Sequence, residues 1–134
     1  MLNREIKFRA WDKRTRKMID TGFHILGETT CFDLIYQYCM EHGKRKDECG
    51  LQRINSVVIM QYTGLKDRNG KEIYEGDILR GRSGFYPVSW DIEYASFMAV
   101  NNYAFINTSS WCKKEIIGNI YENPELLSGD SNAK

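Results

Sequence analysis

The sequence predicts a mainly β fold, with a small barrel or sandwich over residues 55–122 and a smaller α+β subdomain before it. Seventeen of the 134 residues are aromatic, 13% of the chain, and most stand beside β-branched residues or glycine. Such residues favour strands. After residue 55, short apolar segments separated by turn residues recur about every ten residues. We therefore expect an N-terminal subdomain over 1–54 and a β-barrel with a short tail over 55–134, joined in one compact unit.

The first 54 residues are predicted to form a hairpin followed by one helix. Residues 5–11 alternate between apolar and polar side chains, which places Arg9 and Trp11 on the outward face of a half-buried strand. A return strand from residue 17 completes the hairpin. A helix over 30–43 follows, because a threonine can cap its start, apolar residues recur at helical spacing and a glycine can end it.

The rest of the chain is predicted to be β almost throughout. Strands are expected at 56–62, 73–82, 85–90, 96–100, 103–108 and 115–121. The Asn69-Gly70 pair indicates a tight hairpin turn in which both central positions have positive φ. Pro87 favours an edge strand, since proline cannot donate to a ladder. A single helical turn begins at Pro124, and the last residues have the composition of a frayed tail.

Targeting signals and metal-binding patterns are missing from the sequence. The N-terminus has no apolar region of a secretory signal, and no window nears the roughly 18 apolar residues of a membrane span. We therefore expect a cytoplasmic protein, with no membrane partner, whose four cysteines are free thiols. The nearest approach to a metal site, Cys39-x2-His42-x6-Cys49, has no CxxC knuckle. We expect neither a metal nor a cofactor.

Three blocks of the sequence resemble one known family. They are IKFRAWD at 6–12, MQYTGLKDRNGKEIYEGDIL at 60–79 and IGNIYENPEL at 117–126. In this order they resemble the YopX family of small prophage-encoded proteins. The resemblance implies a phage or prophage origin in a bacterial host, homo-oligomeric assembly, and an SH3-like barrel entered by the EGDIL segment. It implies no reaction, cofactor or catalytic residue.

The residues of the central block are explained mainly by turns. The structural turn positions that we predict are Gly64, Asn69, Gly70, Gly76 and Asp77. The glycines supply backbone angles that other residues avoid, and the Asp77 side chain can accept a hydrogen bond from its own turn.

The first functional hypothesis is a non-enzymatic binding or assembly protein that associates with itself or with a phage or host protein. More aromatic residues are present than a small core is expected to hide, and exposed aromatic side chains are typical of interfaces. The residues concerned are Trp11, Tyr62, Tyr74, Tyr86, Trp90, Tyr94, Tyr103, Trp111 and Tyr121. Unpaired edge strands would favour self-association. The candidate binding surface within the shared blocks comprises Arg9, Trp11, Tyr62, Lys66 and Arg68.

The second hypothesis is nucleic-acid binding through the basic N-terminal hairpin. Residues 1–20 contain seven basic and three acidic side chains, a balance of +4, whereas the remainder carries −3. In this hypothesis Trp11 supplies a stacking ring among the cations. The uneven charge distribution is informative because the whole chain is nearly neutral, at +1.

We do not expect an enzyme. Both histidines, His24 and His42, lie outside the three blocks, and the sequence contains no glycine-rich phosphate loop and no recognised nucleophile motif. The carboxylates at Glu72, Glu75 and Asp77 are explained by solvated turns without a raised pKa.

Overall fold

The protein is described by a computed structural model that covers residues 5–13, 15–24 and 57–128, with side chains described up to residue 19 and from residue 58. The predicted helix at 30–43 and the Cys39-His42-Cys49 cluster lie outside these residues. The chain divides into two compact units between Gln61 and Tyr62. The described residues of both units are mainly in strands, so the mainly β class is confirmed.

The N-terminal unit contains β1 (Lys7–Asp12), β2 (Lys17–His24) and the first part of β3 (Val57–Lys66). β1 pairs antiparallel with β2 on one side and with β3 on the other. This confirms the predicted N-terminal hairpin and makes β1 a central strand. Its small core contains Ala10 and Ile19, against which Phe8 and Ile59 pack.

The predicted outward exposure of Arg9 and Trp11 is wrong. Each is only 6% exposed, and the neighbours Ala10 and Asp12 are buried as well. β1 is therefore covered on both faces. The alternation of the sequence distinguishes the two faces of a strand, but it does not show that one of them meets solvent.

The C-terminal unit begins with the last part of β3, which pairs antiparallel with β4 (Glu72–Tyr74). Five further strands form an antiparallel sheet in the order β8-β7-β6-β5-β9. They are β5 (Asp77–Gly81), β6 (Gly84–Asp91), β7 (Ser96–Val100), β8 (Phe105–Ile106) and β9 (Glu115–Asn119). A 3-10 helix at Thr108–Lys113 precedes β9, and a second one, at Pro124–Leu127, follows it. The second helix begins at the predicted proline.

The core of this unit lies on one side of the five-stranded sheet. Its buried members are Ile73, Leu79, Tyr86, Val88, Phe97, Ala99 and Trp111, with Ile106 and Ile116 packed against them. Trp111 is fully buried, and its Nε1–H donates to the carbonyl oxygen of Ile106 at 3.0 Å. The first 3-10 helix, which the sequence analysis did not predict, thus inserts a tryptophan into the core.

The predicted edge position of Pro87 is wrong, because β6 lies between β5 and β7. The carbonyl oxygen of Val88 accepts from Gly76 N, on the β5 side of the strand. Since successive backbone groups alternate in direction, Pro87 N points toward β7. The paired register with β7 begins at Val88↔Ala99, so Pro87 lies just beyond the end of that ladder.

The predicted hairpin turn forms, but its backbone differs from the prediction. Gly70 has a φ of +80°, whereas Asn69 does not have positive φ. Gly70 N donates to the Asp67 carbonyl at 3.0 Å, and Asp67 N donates to the Lys71 carbonyl at 2.8 Å. This is the pattern of a three-residue loop in which a left-handed glycine follows the turn.

Replacing Trp111 with phenylalanine should destabilise the protein, since the partly buried Ile106 carbonyl loses its indole donor and the core loses ring volume. We expect about 1–3 kcal/mol. The same substitution at Trp90, which is 49% exposed, should change the free energy of unfolding by less than about 0.5 kcal/mol. Urea denaturation followed by circular dichroism measures both values. Equal stability of the two variants would contradict the role assigned to Trp111.

Candidate interaction surfaces

The nine aromatic residues that the sequence marked as candidates divide into buried and exposed groups. Five are buried: Trp11, Tyr62, Tyr74, Tyr86 and Trp111. Tyr121 is half-buried, whereas Trp90, Tyr94 and Tyr103 are 49%, 72% and 88% exposed. Ile92 and Phe105, which the sequence analysis did not single out, are also exposed.

The end of the β6–β7 hairpin, residues 90–94, carries three large exposed apolar side chains: Trp90, Ile92 and Tyr94. We call this region the hairpin end. Its backbone is fixed by Asp91 Oδ1, which accepts from Glu93 N at 2.9 Å and from Tyr94 N at 3.0 Å. The Trp90 ring meets the core residue Phe97 edge-on, with 5.0 Å between ring centroids. The exposed side chains therefore project from an ordered turn.

A cleft of about 290 Å³ lies at the opposite end of β6 and β7. Its walls are the β5–β6 turn, the β7–β8 turn and the second 3-10 helix, including Phe85, Pro87, Tyr103 and Leu127. Asn101 Oδ1 shapes one wall by accepting from Tyr103 N at 2.8 Å and from Ala104 N at 2.9 Å. None of the described residues that line the cleft is charged, and its walls combine apolar side chains with serine and asparagine.

The side chain of Asp67, in the β3–β4 turn, accepts three backbone hydrogen bonds. It is 5% exposed. Its Oδ1 accepts from Asn69 N at 2.8 Å and from Lys71 N at 2.9 Å, and its Oδ2 accepts from Ile116 N at 3.0 Å. Burial raises the pKa of this carboxyl, but the three backbone N–H groups and the nearby Lys71 outweigh it, and the pKa is lowered overall. The carboxylate joins the β3–β4 turn to β9.

The candidate residues of the central block lie in two different environments. Lys66 and Arg68 are exposed, as a binding role requires, and that role stays a prediction. The predicted exposure of Tyr62 is wrong: it is 4% exposed and packs against Tyr74, with ring centroids 5.5 Å apart.

The turn positions behave as predicted where they need positive φ. Gly64, Gly70 and Gly76 have φ values of +91°, +80° and +89°. Asp77 Oδ2 accepts from Tyr74 N at 2.8 Å, which confirms the expected turn hydrogen bond. Asp77 is nevertheless only 1% exposed, so the expectation of a solvated turn is wrong at this residue.

The last family-like block is also organised by side chains that accept from the backbone. Asn119 Oδ1 accepts from Tyr121 N at 3.0 Å and from Glu122 N at 2.8 Å, and Asn119 Nδ2 donates to Glu122 Oε1 at 2.7 Å. A Cβ at Gly118 would collide with the side chain of Asn123. These residues shape the turn that follows β9.

The basic N-terminal hairpin differs from the arrangement that the nucleic-acid hypothesis requires. Lys13, Arg16 and Lys17 are exposed, but Arg9 and the expected stacking ring, Trp11, are buried. The cations of the turn thus have no exposed ring beside them on β1.

Three further kinds of feature would point to a function: metal-binding groups, free thiols and membrane-spanning helices. Across residues 5–13, 15–24 and 57–128, no three His, Cys, Asp or Glu side chains are grouped so as to hold a metal ion. Cys112 is an exposed free thiol; the other three cysteines lie outside the described residues. No helix in the part of the chain described has the length and hydropathy needed to cross a membrane.

Replacing Asp67 with asparagine should lower stability at pH 7 by about 1–3 kcal/mol, because hydrogen bonds to a charged acceptor are lost. The folded-state pKa lies below the ordinary value of 3.8. The contribution of the carboxylate is therefore complete above pH 3.8 and is lost as the pH falls through the folded-state pKa. The stability difference between wild type and variant should shrink accordingly. Urea denaturation between pH 7 and pH 2.5 measures it, and a difference that does not depend on pH would contradict this assignment.

Comparisons with known proteins agree with the resemblance of the three blocks. No curated protein sequence matches this chain. Among solved structures, the crystal structure of protein EF1440 from Enterococcus faecalis is similar, with 28% sequence identity and a TM-score of 0.59. The match covers 92% of this chain and 98% of that one. The model of the YopX protein family matches residues 7–128, and the chain therefore belongs to the YopX family.

Proposed function

We propose that this is a non-enzymatic binding protein of phage or prophage origin, acting in the bacterial cytoplasm and self-associating through the hairpin end. The observation that carries the proposal is the exposure of Trp90, Ile92 and Tyr94, at 49%, 85% and 72%, on one ordered turn. Family membership supports the phage origin.

Energetics favour the hairpin end as a contact surface. Tryptophan and tyrosine bury a large area with few torsions to freeze, which is why they dominate the binding energy of many interfaces. The two hydrogen bonds to Asp91 and the packing of Trp90 on Phe97 restrict the turn before any partner arrives. A preordered surface loses less conformational entropy on association than a flexible one.

A second copy is the partner that this surface suits. In a two-fold dimer the same patch is used on both chains, so an apolar patch meets an equally apolar one. Asp91 and Glu93 flank the apolar side chains and can remain at the solvated rim. A rim of charge around an apolar centre is the usual anatomy of an interface.

Side-chain packing, rather than edge pairing, is the contact that we propose. At β8, the carbonyl oxygen of Ile106 accepts from Trp111 Nε1. At β9, Ile116 N donates to Asp67 Oδ2, and the Lys114 carbonyl accepts from Arg68 N. Both edge strands of the five-stranded sheet thus have backbone groups engaged within the chain. Such engagement disfavours edge-to-edge pairing with another molecule.

We also propose that β5–β9 form an SH3-like barrel. In such barrels five antiparallel strands follow one another as a meander, the last strand returns beside the first, and a 3-10 turn precedes it. The order β8-β7-β6-β5-β9 and the 3-10 helix at Thr108–Lys113 support this assignment.

Nucleic-acid binding through the N-terminal hairpin is the alternative that we rank second. Such binding would combine basic residues with a stacking ring on the same strand. With Arg9 and Trp11 buried, only the cations of the β1–β2 turn still support it.

Replacing Tyr94 with aspartate should weaken self-association at least about tenfold, because a charge at the apolar centre must be desolvated without a counter-charge. Sedimentation velocity from about 1 to 200 µM should show wild type approaching twice the 15.7 kDa chain mass. The variant should sediment mainly as the monomer.

Tyr103→Asp is the matched control, since Tyr103 is even more exposed and the charge change is identical. It should associate like wild type. A wild-type protein that stays monomeric to about 200 µM would refute self-association. Equal weakening by both substitutions would refute its assignment to the hairpin end.

A further inference from the structure

Two segments that are distant in sequence combine into a cationic surface. The β3–β4 turn carries Lys66, Arg68 and Lys71, and the segment before β9 carries Lys113 and Lys114. We call these five residues the cationic surface. All of them are exposed except Lys114, which is half-buried. Lys66 and Arg68 are candidates from the sequence, but sequence alone does not bring them to the two lysines more than forty positions later.

Three hydrogen bonds hold the two segments together. Arg68 N donates to the Lys114 carbonyl at 2.8 Å, and Ile116 N donates to Asp67 Oδ2 at 3.0 Å. Asn69 Nδ2 reaches Glu115 Oε2 at 3.4 Å. The first bond joins backbone groups of the two segments, and the second uses the buried Asp67 carboxylate. The two segments, and the cations that they carry, are therefore held in a fixed relative position.

The acidic residues nearby offset the charge of these cations only in part: Asp67, Glu72 and Glu115 stand against five cations, which leaves a local balance of +2. Glu72 is paired across the strands with Lys66, and Lys71 attracts the Asp67 carboxylate. Asp67 is buried and directs both carboxylate oxygens at backbone N–H groups. Glu115 accepts from Asn69 and stands opposite Arg80 in the β5–β9 pairing. Within the described ranges, no ion pair joins a carboxylate to any of the five cations. The surface thus keeps a positive potential in a chain whose net charge is only +1.

We propose that the cationic surface binds the phosphate backbone of duplex nucleic acid. Closely placed lysines and an arginine fit a row of phosphates, which they contact without reading bases. Neither segment of the surface bears an exposed aromatic ring: Trp111 is buried, and the rings of Trp90, Tyr94 and Tyr103 belong to other turns. Single strands are held largely by stacking on such rings, so a duplex is the better fit.

The test compares two triple variants that remove the same charge. Lys66→Gln, Arg68→Gln and Lys113→Gln neutralise the cationic surface; Lys13→Gln, Arg16→Gln and Lys17→Gln neutralise the exposed turn of the N-terminal hairpin. Each triple changes the net charge from +1 to −2. Circular dichroism melting checks that both variants fold. The probe is a fluorescein-labelled DNA duplex of 30 base pairs. Protein is titrated into it at salt concentrations from 50 to 200 mM, and binding is measured by fluorescence anisotropy.

We expect the first triple to lose at least about tenfold in affinity at 50 mM salt, with the slope of log affinity against log salt reduced by about 2 to 3. The control triple should bind like wild type. Absence of wild-type binding at 50 mM salt, an equal loss in both triples, or a loss confined to the control would overturn the proposal. So would tighter binding of a single strand, or equal competition by polyglutamate.

The result is independent of the self-association that we propose for the hairpin end. Tyr94→Asp leaves every residue of the cationic surface in place. A Tyr94→Asp protein that is monomeric but binds the duplex would separate the two proposals, as would a self-associating protein that does not bind it.

Discussion

The carboxylate of Asp67 is the interaction on which the C-terminal unit most depends. A buried carboxylate is unfavourable unless hydrogen bonds replace its lost water. Here three backbone N–H groups do so, two from its own turn and one from Ile116. Because β9 is in turn paired with β5, this one side chain connects the β3–β4 turn to the five-stranded sheet. The lowered pKa of Asp67 and the meeting of Arg68 with Lys114 follow from the same contact.

Short polar side chains fix the other turns in the same way. Asp91, Asn101 and Asn119 each accept two backbone N–H groups from residues two or three positions later. Asp77 accepts from Tyr74, three positions earlier. These contacts are local, so they depend on residue type and spacing within a few positions. Most strands of residues 57–128 could therefore be predicted from the sequence, whereas the 3-10 helix at Thr108–Lys113 could not.

Burial could not be predicted to the same extent, because it depends on which strands become neighbours. Arg9 and Trp11 are buried because both faces of β1 are covered, and the alternation of seven residues contains no information about what packs on each face. Pro87 illustrates the same limit. Its tertiary amide is compatible with an interior strand because the ladder with β7 begins one residue later, a detail of register that sequence alone does not contain.

The candidate surfaces reflect the same division between local and distant effects. The exposed side chains of the hairpin end lie within five consecutive residues. Trp90 and Tyr94 are among the nine aromatic candidates, but the sequence does not distinguish them from the rings that are buried in the core. The cationic surface requires residues 66–71 to meet residues 113–114, and the hydrogen bonds of Asp67, Arg68 and Asn69 bring them together.

The exposed residues of the two surfaces are not needed for the stability of the fold. An apolar side chain that is as exposed as Ile92, at 85%, gains almost no stability from the native state, since stabilisation follows the area removed from water. Neighbouring cations repel one another, and apart from the attraction between Lys71 and the Asp67 carboxylate they gain little until an anion approaches. Both features therefore contribute little or nothing to the isolated fold, while each would contribute to binding. The turns of this protein are held by hydrogen bonds from its own side chains and do not require either surface, and the exposure of both surfaces is the physical reason for our proposal that this YopX family member acts by binding.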